Sequence, residues 1–324
     1  VAKLRLTLGC GDYDLLAPII EGTVQPAGVD WTVLPMPSPE RHWRMLRHEA
    51  FDVCELSMAG YLADRARRDR FIAVPVFPHR RFRHSYVLIN ARSGVRTPAD
   101  LNGRRIGIRT WETTAGVWIR GMLQHDYGVD LTSIEWIAQD EEDVAAAGAG
   151  RFRIRRTEGG QTVEALLLAG ELDATAYPEM FASVQQGHPA VRRLFEDYKA
   201  EELAYFKRTG IFPIMHTVVI KQSLVERFPW LPVSVMQAFE TSKAEGFRRL
   251  RDPRRISLAF AMHLLEEQVR EMGPDPWAYG LEANRNPLSA ILQYAEDQAL
   301  TPRRMAVEEI FAASALDRIP KYVG

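Results

Sequence analysis

Short apolar strands alternate with amphipathic helices almost from the first residue, and no other feature constrains this chain as strongly. Repeated β-then-α order builds a largely parallel sheet covered by helices, the α/β class. Residues 4–8 form the first predicted strand, broken by Gly9, Gly11 and Asp12 ahead of a helix over 15–22. A second strand over 29–34 stops at Pro35, Pro37 and Pro39, and a helix over 40–48 follows. The third strand covers 51–56, after which Ser57 caps a helix running to about Asp69. Residues 72–77 and 85–90 are further strands.

A second unit opens near Thr97, with strands over 105–109 and 134–137 around a helix over 117–127 that Gly128 ends. Residues 140–160 read as a surface excursion with one short strand, whose alternating arginines mark an exposed edge. A helix over 161–169 and a strand over 173–176 close this unit, and an apolar strand returns over 211–220. Helices are predicted over 232–250, 257–272, 288–299 and 302–315, the last with Thr301 as N-cap and Pro302 at its first position. This order predicts a discontinuous lobe, 1–94 plus 212–324, interrupted by an inserted lobe, 95–211. Crossings at 85–90 and 212–218 would form a hinge, with a ligand cleft between the lobes.

Composition narrows the partners. The 324 residues carry 41 Lys plus Arg against 42 Asp plus Glu, so no net field draws nucleic acid or an acidic membrane. No window approaches the ~20 apolar residues of a membrane span, and the N-terminus reads as a strand rather than a signal peptide. A cytoplasmic protein is expected. Cys10 and Cys54 lie in apolar runs and read as buried free thiols. Apolar helix faces bearing Ile291, Leu292 and Phe311 predict at least a homodimer.

Two stretches, 100–107 (Asp-Leu-Asn-Gly-Arg-Arg-Ile-Gly) and 168–174 (Leu-Ala-Gly-Glu-Leu-Asp-Ala), resemble the second lobe of type II periplasmic-binding-protein-like folds. More specific are Cys10-Gly11-Asp12-Tyr13-Asp14, residues 51–57, residues 75–85, Trp118-Ile119-Arg120-Gly121 and residues 209–216. Together these resemble the 4,5-dihydroxyphthalate decarboxylase family. The resemblance implies the binding-protein fold turned to an enzyme, acting on a hydroxylated aromatic diacid. It also implies an Arg-Pro-Pro-like element after residue 174, where this chain has Tyr177-Pro178-Glu179-Met180.

Decarboxylating a hydroxybenzoate needs no organic cofactor when the ring is the electron sink. A base near the phenol, an acid over the ring carbon and cations for the retained carboxylate suffice. Asp12 follows the first strand and serves either as a turn residue or as a cleft carboxylate. Glu55 and Ser57 end the third strand, and a glutamate in an apolar strand end reads as an acid or base. In the basic cluster Arg80 to His84, Arg83 is the expected carboxylate binder and His84 the proton carrier. Arg109, with Thr113 and Thr114 at a helix start, forms an anion pocket, although plain N-capping would use the same threonines. His216 reads equally as a core residue or as a titrating group at the second crossing. Tyr177 would stack on the ligand or line its rim, Arg120 would face the cleft, and Trp118 would be core. A hard cation on Asp12, Glu55, His84 and His216 lacks any supporting ligand spacing, so no obligatory metal is expected. The competing readings are a solute-binding protein for an aromatic or dicarboxylic acid, and another lyase acting on a related ring acid.

Overall fold

A computed structural model of the chain describes residues 2–144 and 150–316. It holds two sheets. The first contains β1 (Leu4–Cys10), β2 (Val29–Pro35), β3 (Val53–Ser57), β4 (Phe71–Val74) and β11 (His216–Lys221), in the order β2-β1-β3-β11-β4. The second contains β5 (Val87–Asn90), β6 (Arg105–Ile108), β7 (Glu135–Ala138), β8 (Arg153–Arg156), β9 (Ala174–Ala176) and β10 (Val191–Arg193), in the order β10-β5-β9-β6-β7-β8. Pairing is parallel except where β11 meets β3 and β4 and where β5 meets β9 and β10. The antiparallel strands are those nearest the passages between sheets. The arginine-rich β8 is an edge, as its alternation predicts.

Sheet membership changes between Val74 and Val87 and again between Arg193 and His216. The sequence-based division at 94/95 therefore falls later than the first passage, because β5 hydrogen-bonds within the second sheet. The two passages touch. Arg80 bridges Ile214, the Arg81 amide donates to the Pro213 carbonyl at 3.1 Å, and the Met215 amide donates to the His79 carbonyl at 2.9 Å.

Helix ends follow their local chemistry. Ser57 accepts the Gly60 amide at the start of the helix Met58–Arg65, and Gly128 takes the left-handed conformation that closes Thr114–Tyr127. Gly121 lets the helix Arg285–Asp297 pack on that element, since a Cβ there would stand 2.1 Å from the Tyr294 ring. The strand expected over 211–220 begins only at His216, and the helix expected over 257–272 begins at Ala261.

The last expected helix, over 302–315, does not form. That segment carries the 3₁₀ turns Val307–Ile310 and Ala313–Ala315, and Phe311 pairs with Ala73. The open edge of β4 captures its backbone: the Ala312 amide donates to the Ala73 carbonyl at 2.8 Å, and Tyr61 donates to the Ile310 carbonyl at 2.6 Å. Ile291, Leu292 and Phe311, expected to face a partner subunit, are buried inside the chain itself. No described helix is long and apolar enough to cross a membrane.

Candidate functional site

A cavity of about 820 Å³ lies between the sheets, lined from the first by Tyr13, His42 and His216, from the second by Arg109 and Glu112, and from the passages by His79 and Arg83. Register builds its floor. His216 pairs with Ser57, and Val218 pairs with Glu55. Side chains alternate faces along a strand, so Glu55, Ser57 and His216 share one face and Glu55 reaches His216 diagonally. The contact is 2.5 Å from Glu55 Oε1 to His216 Nδ1.

Glu55 is fully buried and fully engaged. Its carboxylate accepts the Gly11 amide at 2.7 Å and the Tyr13 hydroxyl at 3.0 Å, and Arg41 lies 3.2 Å away. Gly11 is required here, because a Cβ would meet the Tyr13 ring at 2.4 Å. Arg41 comes from the helix Ser38–His48, which buries Arg41, His42, Met45 and Leu46, and it also donates through Nε to the Glu55 backbone carbonyl at 2.8 Å. Burial opposes ionisation of Glu55, but Arg41 and then the His216 hydrogen bond outweigh it and hold the carboxyl well below its ordinary range.

The imidazoles are pushed the other way. Burial lowers the pKa of His216, and burial with His216 as neighbour lowers that of His42 and takes His79 down to about 2. The rings of His42 and His79 lie 4.8 and 4.7 Å from that of His216. His216 therefore meets the cavity as a neutral ring whose Nδ1–H is fixed by an ionised carboxylate, which leaves Nε2 as an acceptor. No partner holds Nε2 among the described residues.

The expected arginines differ sharply. Arg83 is buried and donates to the Met215 sulfur at 2.8 Å and the Pro178 carbonyl at 2.9 Å, with no carboxylate partner among the described residues. Burial takes its guanidinium down to about 10. Arg109 is held at 2.9 Å by Asp140 and at 2.6 Å by Glu179. Thr113 bonds Thr110 at 2.5 Å. Thr114 bonds Ser57 at 2.7 Å and accepts the Ala59 amide, so its hydroxyl ties together two helix starts across the cavity instead of standing open.

Four expected residues lie elsewhere. Asp12 is exposed and does not line the cavity, since the turn it occupies presents Gly11 and Tyr13 to Glu55. His84 is enclosed by Tyr127, Phe195 and Tyr205, with neither ring nitrogen bonded. Arg120 stacks on Trp111 at 3.8 Å and donates to Gln298 at 2.8 Å, which makes it an internal anchor. Tyr177 packs on Phe181 in the small core of the second sheet. Asp12 and His84 therefore do not join Glu55 and His216 in one cluster, and among the described residues no group of three or more His, Cys, Asp or Glu is arranged for a metal.

Tyr13, Arg41, His42 and His79 were not anticipated. The only sequence sign of the helix pair is that Arg41 and His42 share the spacing of Met45 and Leu46, which places them on the inner face.

The fold is shared with sulfonate-binding proteins. SsuA of Xanthomonas axonopodis pv. citri bound to MOPS matches with a TM-score of 0.55 at 14% identity, over 97% of this chain and 98% of that one. SsuA of Escherichia coli gives 0.53 at 14% identity, over 95% and 91%. No family model matches the chain. Full-length similarity instead comes from a 4,5-dihydroxyphthalate decarboxylase of Comamonas testosteroni, 36% identical over 98% of this chain and 99% of the relative. A Pseudomonas putida protein of the same description is 34% identical over 60% of this chain and 78% of its own length. At that identity over both full lengths, the chain belongs to the 4,5-dihydroxyphthalate decarboxylase family.

Proposed function

We propose that this chain decarboxylates a hydroxylated aromatic diacid, 4,5-dihydroxyphthalate, to protocatechuate and carbon dioxide without an organic cofactor. The observation that carries this reading is a buried, ionised Glu55 fixing a neutral His216, which lines the same cavity as Arg83, a guanidinium with no carboxylate partner among the described residues. Family membership supplies the substrate. Two free, buried thiols fit a cytoplasmic setting.

Arg83 holds the carboxylate that is retained. His216 Nε2 accepts the proton of the hydroxyl para to the departing carboxylate, and electrons move into the ring. The ring carbon then takes a proton, with His42 and His79 the imidazoles next to His216 that pass it on. The carbon–carbon bond breaks, carbon dioxide leaves and aromaticity returns. Glu55 has no oxygen left for substrate, so it acts as a positioning residue that sets the tautomer of His216 and stabilises its cation.

The test follows carbon dioxide and protocatechuate from purified protein and 4,5-dihydroxyphthalate. Turnover is expected, with His216→Asn lowering kcat by about 10²–10⁴. Tight binding without turnover would instead favour a solute-binding protein, and full activity of the variant would return His216 to the core.

A further inference from the structure

Arg47, Arg81, Arg83 and Arg109 all line the cavity, and one short segment touches the last two in unequal ways. The Pro178 carbonyl accepts from Arg83 at 2.9 Å, and the adjoining Glu179 carboxylate accepts from Arg109 at 2.6 Å. Asp140 takes the other side of Arg109 at 2.9 Å, so two carboxylates face one guanidinium. Arg83 has no carboxylate among the described residues. The side chains of Glu179 and Asp140 are 53% and 40% exposed, so this arrangement is solvated and opens at little cost.

We propose that Glu179 is a specificity-determining residue: its carboxylate occupies Arg109 in place of a substrate carboxylate, so Arg109 is withheld from the second carboxylate of a diacid. Glu179 thereby selects how a diacid is held, with the retained group on Arg83 and the departing group kept off Arg109. The chemical consequence rests on the decarboxylase reading. As the bond from the protonated ring carbon to the carboxylate breaks, its electrons pass into the ring and restore aromaticity, so the charge leaves the departing carboxylate. A cation clamped on that carboxylate would stabilise the bound substrate more than the transition state and slow its loss.

The test separates binding from chemistry. Calorimetry compares benzoate, with one carboxylate, and phthalate, with two and no hydroxyls, on the wild type, Glu179→Gln and Glu179→Gln/Arg109→Gln. Freeing Arg109 is expected to tighten phthalate by about fivefold while benzoate stays within about twofold. The double variant should return to the wild-type phthalate-to-benzoate ratio. With 4,5-dihydroxyphthalate, Glu179→Gln should lower KM and kcat together. An unchanged ratio in Glu179→Gln, or a gain that survives in the double variant, overturns the proposal. Neither acid needs to react, so absence of turnover in the wild type counts against the function alone and leaves the role of Glu179 readable.

Discussion

Glu55 lies behind one wall of the cavity, beneath Tyr13 and His216, and Glu112 lines the other; both are buried and accept backbone amides, yet they are driven to opposite charge states. Glu55 faces Arg41 and His216 and is held ionised. Glu112 accepts the Asp143 and Val144 amides, while Glu142 accepts those of Trp111 and Glu112, so two carboxylates cap each other's loops, and among the described residues neither makes an ion pair. Burial, and then repulsion from Glu142, pushes Glu112 up to about 8. Burial is common to both residues, so the partner decides the charge. The first-sheet wall is a fixed electrostatic unit, and the second-sheet wall is one that titrates.

The largest break in this comparison is Glu55→Gln. It leaves the Arg41 cation buried without its counter-charge, which should cost about 3–5 kcal/mol in denaturant unfolding. The wild-type contribution has a definite sign. A carboxyl depressed below its ordinary value near 4.5 stabilises fully above that value and loses its effect as pH falls towards the folded value. The penalty of Glu55→Gln should therefore shrink on acidification below about pH 4. A variant equally destabilised at pH 3 and pH 7 would remove the ion pair as the cause.

Glu112→Gln should act in the reverse direction and more weakly. An acid raised from 4.5 to about 8 carries no charge penalty while protonated in both states, and folding is increasingly penalised as pH rises from 4.5 towards 8. Relief of that penalty, offset by the loss of one of two acceptor oxygens at the Asp143 and Val144 amides, should leave the variant more stable than the wild type by about 1–2 kcal/mol at pH 8 and should flatten the slope between pH 5 and 8. Loss of stability at pH 8 would show that Glu112 is valued for its two oxygens as a loop cap and not limited by its charge.

How much of this was legible follows from where each polar residue sits. Strand–helix order carried the two-sheet architecture, and Ser57 and Gly128 marked helix ends through local backbone chemistry. Glu55 and His216 stood out because a charge or an imidazole inside an apolar strand needs a partner. That each is the other's partner was not readable, since 161 positions separate them. Arg41 and His42 share the spacing of Met45 and Leu46, but nothing near them in the sequence shows that Glu55 lies beneath to stabilise an inward arginine. The failed helix over 302–315 has a similar cause: its apolar period was real, but an open strand edge competed for the same backbone groups.

His84 supplies the third case, a buried titratable group with no hydrogen-bond partner among the described residues, and the smallest expected effect. Its ring lies among Phe195 at 5.1 Å, Tyr205 at 5.3 Å and Tyr127 at 6.2 Å, and burial takes it down to about 4. A neutral ring with neither nitrogen bonded contributes chiefly shape, so His84→Phe should keep kcat within about twofold and stability within about 1.5 kcal/mol. Its neighbour in sequence, Arg83, reaches the cavity, because the 3₁₀ turn His84–Tyr86 sends successive side chains to different sides. A tenfold fall in kcat with unchanged unfolding would place His84 in proton transfer after all and break the rule that partners, rather than burial, mark the working groups here.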